Sequence, residues 1–202
     1  SLDADYMVDP TLDPREDGDR TPNELRISDD GFVRLHRDPT FSAIRNETPI
    51  KNLERALCGA CTGVIHMEAN GELRPCTQLQ VPVGNVANRA VGDAWRDDLV
   101  ASAIRQLRWR DVHGCRSCDL QPYCTRCFAT AVNEGGDALG PYGDACRRAR
   151  LRYSAAHGVL QFADEASASE VGPYRDLGDG RFETIPDVIT AEDDARAEAL
   201  GW

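Results

Sequence analysis

Cys115-Arg116-Ser117-Cys118-Asp119-Leu120-Gln121-Pro122-Tyr123-Cys124-Thr125-Arg126-Cys127 places four thiols within thirteen residues. They form two C-x2-C pairs. A third pair, Cys58/Cys61, lies upstream, and Cys76 and Cys146 complete a set of eight, all between residues 58 and 146. Two residues between thiols let both sulfurs converge from one tight turn on a metal ion or cluster, a spacing that a disulfide does not require. Eight thiolates make two four-ligand sites with none left over. Disulfides need an oxidising compartment, and no charged-then-apolar leader sends the chain to one. Zinc is a genuine alternative, since two C-x2-C pairs about fifty residues apart suffice for a ribbon-like site. Spacing alone leaves iron–sulfur and zinc both open.

Around the thiols the chain reads as short elements. Val64–Glu68 and Glu72–Arg74 flank Asn70-Gly71, the strongest short hairpin signal, with a type I′ turn expected. Cys61 precedes this hairpin and Cys76 follows it. Asp93 or Asp98 is placed to cap helices running to about Arg108, with Val100, Ile104 and Leu107 on one face. A helix from Cys127 to Glu134 is stopped by Gly135-Gly136, and one from Ala145 to His157, capped by Asp144, is stopped by Gly158. Residues 1–50 read as strand, loop, strand, loop, with Tyr6-Met7-Val8 and Glu24–Ile27 as the strands. Pro10, Pro14, Gly18 and Pro22 punctuate the segment between them. Past Phe162 periodicity fades, apart from a short helix at Ala191–Leu200.

Composition bounds the function. The net charge of −11 opposes attraction to phosphate, so nucleic acid is not an expected partner. No apolar run approaches the roughly 18–20 residues of a membrane helix. An aromatic fraction of 6% is lean for one large core. The charge is −6 over residues 1–50, +3 over 51–162 and −8 over 163–202, so a slightly basic cysteine module sits between two acidic flanks. Acidic flanks of this kind read as a solvated linker and a partly disordered tail. The basic residues are 22 Arg and one Lys, Lys51, a bias ascribed to genome composition.

The pattern resembles a known family. From Cys61 the chain runs nine residues to Gly71 and four more to Cys76. Then come C-x2-C at Cys115/Cys118, five residues to Cys124, Cys127, and a gap to Cys146. Val83-Gly84-Asn85-Val86 followed by Ala94-Trp95 adds a "GN…W" stretch, and Cys118-Asp119-Leu120 precedes Tyr123-Cys124-Thr125-Arg126-Cys127. Over about residues 55–150 this resembles the SPASM domain, the auxiliary-cluster domain of radical SAM enzymes that mature peptides and proteins. The commonest family spacing between the last paired cysteines is three residues; here it is two.

The resemblance implies an α+β fold, a small cysteine-rich domain of β-hairpin and short helices around two clusters. It implies three regions: 1–50 as the end of a radical SAM (β/α) partial barrel and linker, 51–160 as the SPASM-like domain, and 161–202 as an acidic, partly disordered tail. It implies two [4Fe–4S] clusters in a crossed division. Cys58, Cys61, Cys76 and Cys127 hold the first, and Cys115, Cys118, Cys124 and Cys146 the second. The C-x3-C-x2-C signature of the SAM-binding cluster is not found here. SAM and a third [4Fe–4S] cluster would therefore belong to a barrel upstream in the same polypeptide or in a separate subunit. The expected partners are that barrel, a peptide or protein substrate and a reductant protein, in the cytoplasm, with no membrane and no nucleic acid. The expected roles are electron transfer and substrate positioning. The alternatives are a zinc-stapled binding module and a stand-alone iron–sulfur carrier or scaffold.

No residue is assigned a catalytic role. His66 reads as a cross-strand or exposed histidine, and His36, His113 and His157 as scattered. His113 and Arg116, beside Cys115, read as solvated, with donation toward cluster sulfur as the alternative. Trp95 and Trp109 read as core anchors, and Glu24/Arg26 as a pair that would face a barrel interior.

Overall fold

The computed structural model describes residues 10–15, 17–42, 51–186 and 188–199. The Tyr6–Val8 strand candidate lies outside them. The architecture mixes short helices with two three-stranded sheets, an α+β fold.

The amino-terminal segment differs from its reading. Thr21–Leu25 is a 3-10 turn where Glu24–Ile27 was expected to be a strand. Pro22 fixes a φ suited to the turn's start and removes an amide donor that a strand would need. Ser28 then caps a helix that the strand-and-loop reading missed, α1 (Asp29–Arg37), its Oγ accepting the Gly31 N–H at 3.2 Å. Asp29 and Asp30 in the first turn and Arg34, His36 and Arg37 in the last complement the helix dipole. A short α2 (Pro39–Ser42) follows.

In the middle, β1 (His66–Met67), β2 (Glu72–Arg74) and β3 (Gly84–Asn85) form an antiparallel sheet. The β1–β2 turn is not type I′. The Gly71 N–H bonds the Glu68 carbonyl at 2.9 Å, and Gly71 has φ +84° while Asn70 keeps a negative φ. This is a three-residue loop with glycine at the left-handed position. Two helices follow, α3 (Val91–Asp97) and α4 (Leu99–Gln106), the latter capped by Asp98, which accepts the Ala101 N–H at 3.0 Å. Ile104 and Leu107 are buried. Residues 53–57 run beside 107–110 through Leu57 N–H to Leu107 O (3.1 Å) and Trp109 N–H to Arg55 O (3.2 Å). The main core gathers Leu57, Leu73, Val83, Ile104, Trp109, Val112, Phe128 and Leu139.

Next come α5 (Phe128–Gly135), ended by Gly136 at φ +74°, and α6 (Gly143–His157), ended by Gly158. Tyr142, not Asp144, occupies the N-cap of α6. Asp144 is buried and faces Arg148 at 2.7 Å, Arg147 at 3.4 Å and Arg26 at 3.7 Å. Arg26 also pairs with Glu134, so the Glu24/Arg26 pair is not a unit. These ions, with Arg147–Asp29 (2.7 Å), Arg37 Nη2 to Ser154 O (2.9 Å) and the Arg152 guanidinium over the Phe32 ring, clamp α1 to α6. Asp144→Asn should leave buried arginines short of their counter-charge and lower stability by about 3–5 kcal/mol. Loss of the exposed Arg96–Asp93 pair should change stability by about 0–1 kcal/mol. Urea unfolding of D144N and D93N checks both values, and equal midpoints for the two variants would contradict the claim.

In its described residues the tail, read from sequence as partly disordered, carries strands and helices. β4 (Gln161–Phe162), β5 (Tyr174–Asp176) and β6 (Arg181–Thr184) form a second sheet in the order β4-β6-β5, with α7 (Glu165–Ser169) between β4 and β5. Phe162, Tyr174 and Phe182 are too sparse to give a period. Each packs back on the cysteine module rather than on a core of its own, beside Leu120, Ala149, Cys118 and Cys146. The final α8 (Ala191–Ala199) returns Asp193 to Arg116 at 2.6 Å.

Candidate metal centre

All eight cysteines are free thiols; Cys61 and Cys115 are buried and the other six half-buried. Local turns aim them. Gly59 O accepts the N–H groups of Thr62 (3.1 Å) and Gly63 (2.9 Å), folding the first C-x2-C pair into a loop. Cys61 itself takes φ +54°, a left-handed backbone that a non-glycine residue adopts only where its surroundings hold it. Its N–H is anchored to Val64 O at 2.8 Å. Cys127 stands at the N-cap of α5, and its N–H donates to the Tyr142 hydroxyl at 3.1 Å. Cys146 lies in the first turn of α6. Helix N-termini of this kind favour a thiolate.

The thiols that feel one another electrostatically fall into two groups. Cys58 faces Cys127 and Cys76, and Cys61 faces Cys58 and Cys76. Cys115 faces Cys124, Cys146 and Cys118, and Cys146 faces Cys124 and Cys118. The second group lines one pocket, with a cavity volume of about 20 Å³, whose other walls include Trp109, Gln121, Arg126, Tyr142 and Tyr174. Tail residues close it: the Tyr174 N–H donates to Cys118 Sγ at 3.4 Å. Among the described residues, no three His, Cys, Asp or Glu side chains converge tightly enough to share one metal ion.

Burial pushes the thiols upward, Cys61 and Cys124 to about 11 and Cys146 to about 12, with Cys58, Cys115 and Cys118 raised as well. Cations oppose this locally. Arg105 stands beside Cys61, Lys51 beside Cys118, Arg148 and Arg152 beside Cys124, and Arg150 beside Cys146. Arg126 acts on Cys58, Cys115 and Cys124, so it stands between the groups. The basic middle of an acidic chain thus places cations against the thiols, which oppose the upward push of burial without cancelling it.

Other predicted residues sit elsewhere. His113 is buried rather than solvated, its Nε2 2.6 Å from Asp137 Oδ2, and Arg116 is paired with Asp193 through two contacts of 2.6 and 2.9 Å. His66 meets Glu68 at 3.2 Å. Trp109 is buried, as a core anchor would be, while Trp95 is half-buried. The sequence reading missed Arg126 and Tyr174. The one available signal for Arg126 was a cation lying between paired cysteines.

Residues 58–119 match the SPASM family, described as an iron–sulfur cluster-binding domain. That stretch is similar to a SPASM domain. The match covers the first five cysteines, and Cys124, Cys127 and Cys146 lie beyond it. Over 84 residues, 41% of this chain, the protein is 30% identical to an AdoMet-dependent heme synthase of Nitratidesulfovibrio vulgaris (strain Hildenborough). The aligned stretch spans 22% of that relative's length. No solved structure matches the chain. The domain's donor set suits the iron–sulfur cluster that the family binds: free thiols in two groups of four, one group around a pocket, with cations against the sulfurs. No helix among the described residues is long and apolar enough to cross a membrane.

Proposed function

We propose that the chain binds two [4Fe–4S] clusters, one through Cys58, Cys61, Cys76 and Cys127 and one through Cys115, Cys118, Cys124 and Cys146. We further propose that it serves a radical SAM enzyme modifying a ribosomally made peptide or protein. The observation that carries the reading is the division of eight free thiols into two groups of four. A single zinc needs its ligands within about 2.3 Å of one point, whereas an iron–sulfur core holds its thiolates farther apart. A bound cluster supplies one-electron transfer. The chain's own residues ligate it, exclude water with Tyr174, Leu120 and Tyr142, and offset its charge with arginines. With four cysteines for each cluster, no open iron remains for substrate, which favours electron transfer and positioning over direct substrate coordination. The heme synthase supports the radical SAM setting. A second reading, carried by that relative alone, places the whole protein in heme synthesis.

Anaerobic reconstitution of the full chain should give about eight iron and eight sulfide per chain. Stoichiometric zinc without labile sulfide after iron-replete expression would contradict the reading. Cys127→Ala should perturb the same reduced EPR signal as Cys58→Ala, and Cys146→Ala the same signal as Cys115→Ala. If Cys127→Ala instead tracks Cys115→Ala, the division is wrong.

Loading should also depend on pH. Thiols raised to 11–12 hold their protons at neutral pH, so iron must displace about one proton per thiol. The loaded state binds fewer protons and is therefore favoured as pH rises and lost as it falls. Iron release to a chelator whose own pH dependence is known should accelerate as pH drops from about 8 to about 5. A flat profile would contradict the argument.

A further inference from the structure

Among the buried side-chain polar atoms of the described residues that have no hydrogen-bond partner, three belong to residues lining the Cys115/Cys118/Cys124/Cys146 pocket: Trp109 Nε1, Gln121 Oε1 and Arg126 Nη1. All three side chains are at least nine-tenths buried, with 2%, 2% and 6% exposure. The rest of Arg126 is satisfied: Nε donates to Gly140 O at 3.1 Å, and Nη2 to Gly140 O at 2.7 Å and to Ala138 O. Its backbone contacts hold the guanidinium fixed and leave one nitrogen free. Buried donors without acceptors are costly and uncommon in native proteins. Trp109 Nε1 and Arg126 Nη1 are two such donors around one pocket, so its wall awaits an acceptor. A glutamine amide can turn to offer its nitrogen in place of its oxygen, so all three residues can donate. The acceptors that suit them are soft anionic sulfurs.

We propose that Trp109, Gln121 and Arg126 donate hydrogen bonds to sulfur atoms of the cluster held by Cys115, Cys118, Cys124 and Cys146, and thereby raise its reduction potential. This rests on the two-cluster reading above. Reduction adds one negative charge to the cluster, and fixed N–H dipoles and a guanidinium stabilise the more negative state. The residues differ in reach. Trp109 lines the second pocket, whereas Arg126 acts on thiols of both groups. These are positioning residues around the cluster, and none is a ligand.

The test is an EPR-monitored redox titration of the full, anaerobically reconstituted chain, after iron and sulfide have been counted. Trp109→Phe removes the N–H and keeps a large aromatic ring in the core. It should lower the midpoint of the signal that Cys146→Ala abolishes, by about tenfold in the reduced-to-oxidised ratio at fixed potential, or about 59 mV for a one-electron couple. The other signal should keep its midpoint. Arg126→Gln should lower both midpoints, and Arg126→Lys should restore part of the shift. Full iron and sulfide in Trp109→Phe with both midpoints at their wild-type values would overturn the proposal while leaving the two-cluster reading intact. Wild-type protein that takes up no iron and sulfide would overturn both. If Arg126→Gln fails to fold, Trp109→Phe alone decides, because its change deletes a single donor.

Discussion

Stripping iron from the reconstituted protein should unfold most of residues 53–186. Among the described residues, each of the three groups of buried apolar residues has one or more cysteines packed against it, two of the three are small, and the main one includes Cys61, Cys115 and five alanines beside its leucines, valines, Ile104, Trp109 and Phe128. Removing the metal leaves as many as eight thiols around space that apolar contacts do not fill. For small domains of this kind metal binding is folding free energy, on the order of 10–16 kcal/mol for structural zinc in finger peptides. Hydrogen exchange should show it at the amides that tie the module together: Leu57 to Leu107 O, Val83 to Leu73 O and Asp119 to Tyr174 O. These should lose protection together on chelation. Equal protection in the stripped and loaded forms would mean that the apolar core suffices alone.

The second large effect belongs to the tail. Phe182 is 2% exposed on β6 and touches Tyr153 edge-on, with ring centroids 5.1 Å apart. Phe182→Ala should cost about 3–5 kcal/mol through lost burial and the cavity left behind. The loss falls on one side of the molecule. The same cluster contains Cys118 and Cys146, so iron held by the second group should become more labile, while the signal assigned to Cys58, Cys61, Cys76 and Cys127 persists. Urea unfolding and iron-release kinetics measure the two parts. A Phe182→Ala protein as stable as wild type would return the tail to the appended, dispensable role that its acidic composition suggests.

Legibility in the sequence followed the range of the interactions. Cysteine spacing, the Asp98 cap, the Gly136 and Gly158 stops and the Asn70-Gly71 turn are written within a few residues of each other, and a local pattern reveals them. The turn's backbone was misjudged because Asn-Gly serves more than one hairpin loop, and one more residue, Ala69, takes part here. The Ser28 cap of α1 was equally local; it was overlooked because prolines upstream dominated the reading of that segment. What stayed hidden depends on distant partners. β4 pairs in parallel with β6, joining Phe162 to Phe182, and neither strand has a period of its own. Arg126 is inconspicuous among 22 arginines until the fold brings its guanidinium between two sets of thiols.

The clamp between α1 and α6 has a consequence for biosynthesis. Asp13 awaits Thr130, Arg26 awaits Glu134 and Asp144, and Asp29 awaits Arg147, each more than a hundred residues later. Cys58 and Cys61 likewise emerge long before Cys127. On a ribosome, where earlier residues emerge first, Asp13, Cys58 and Cys61 wait for α5, Arg26 for α5 and then α6, and Asp29 for α6, to clear the exit tunnel. Tyr174 and Phe182 then arrive later still to seal the second pocket. The nascent chain therefore carries open thiols through most of its translation. On the two-cluster proposal, metallation would be a late, nearly post-translational event, and until then the cysteines would depend on the reducing power of their surroundings to remain available.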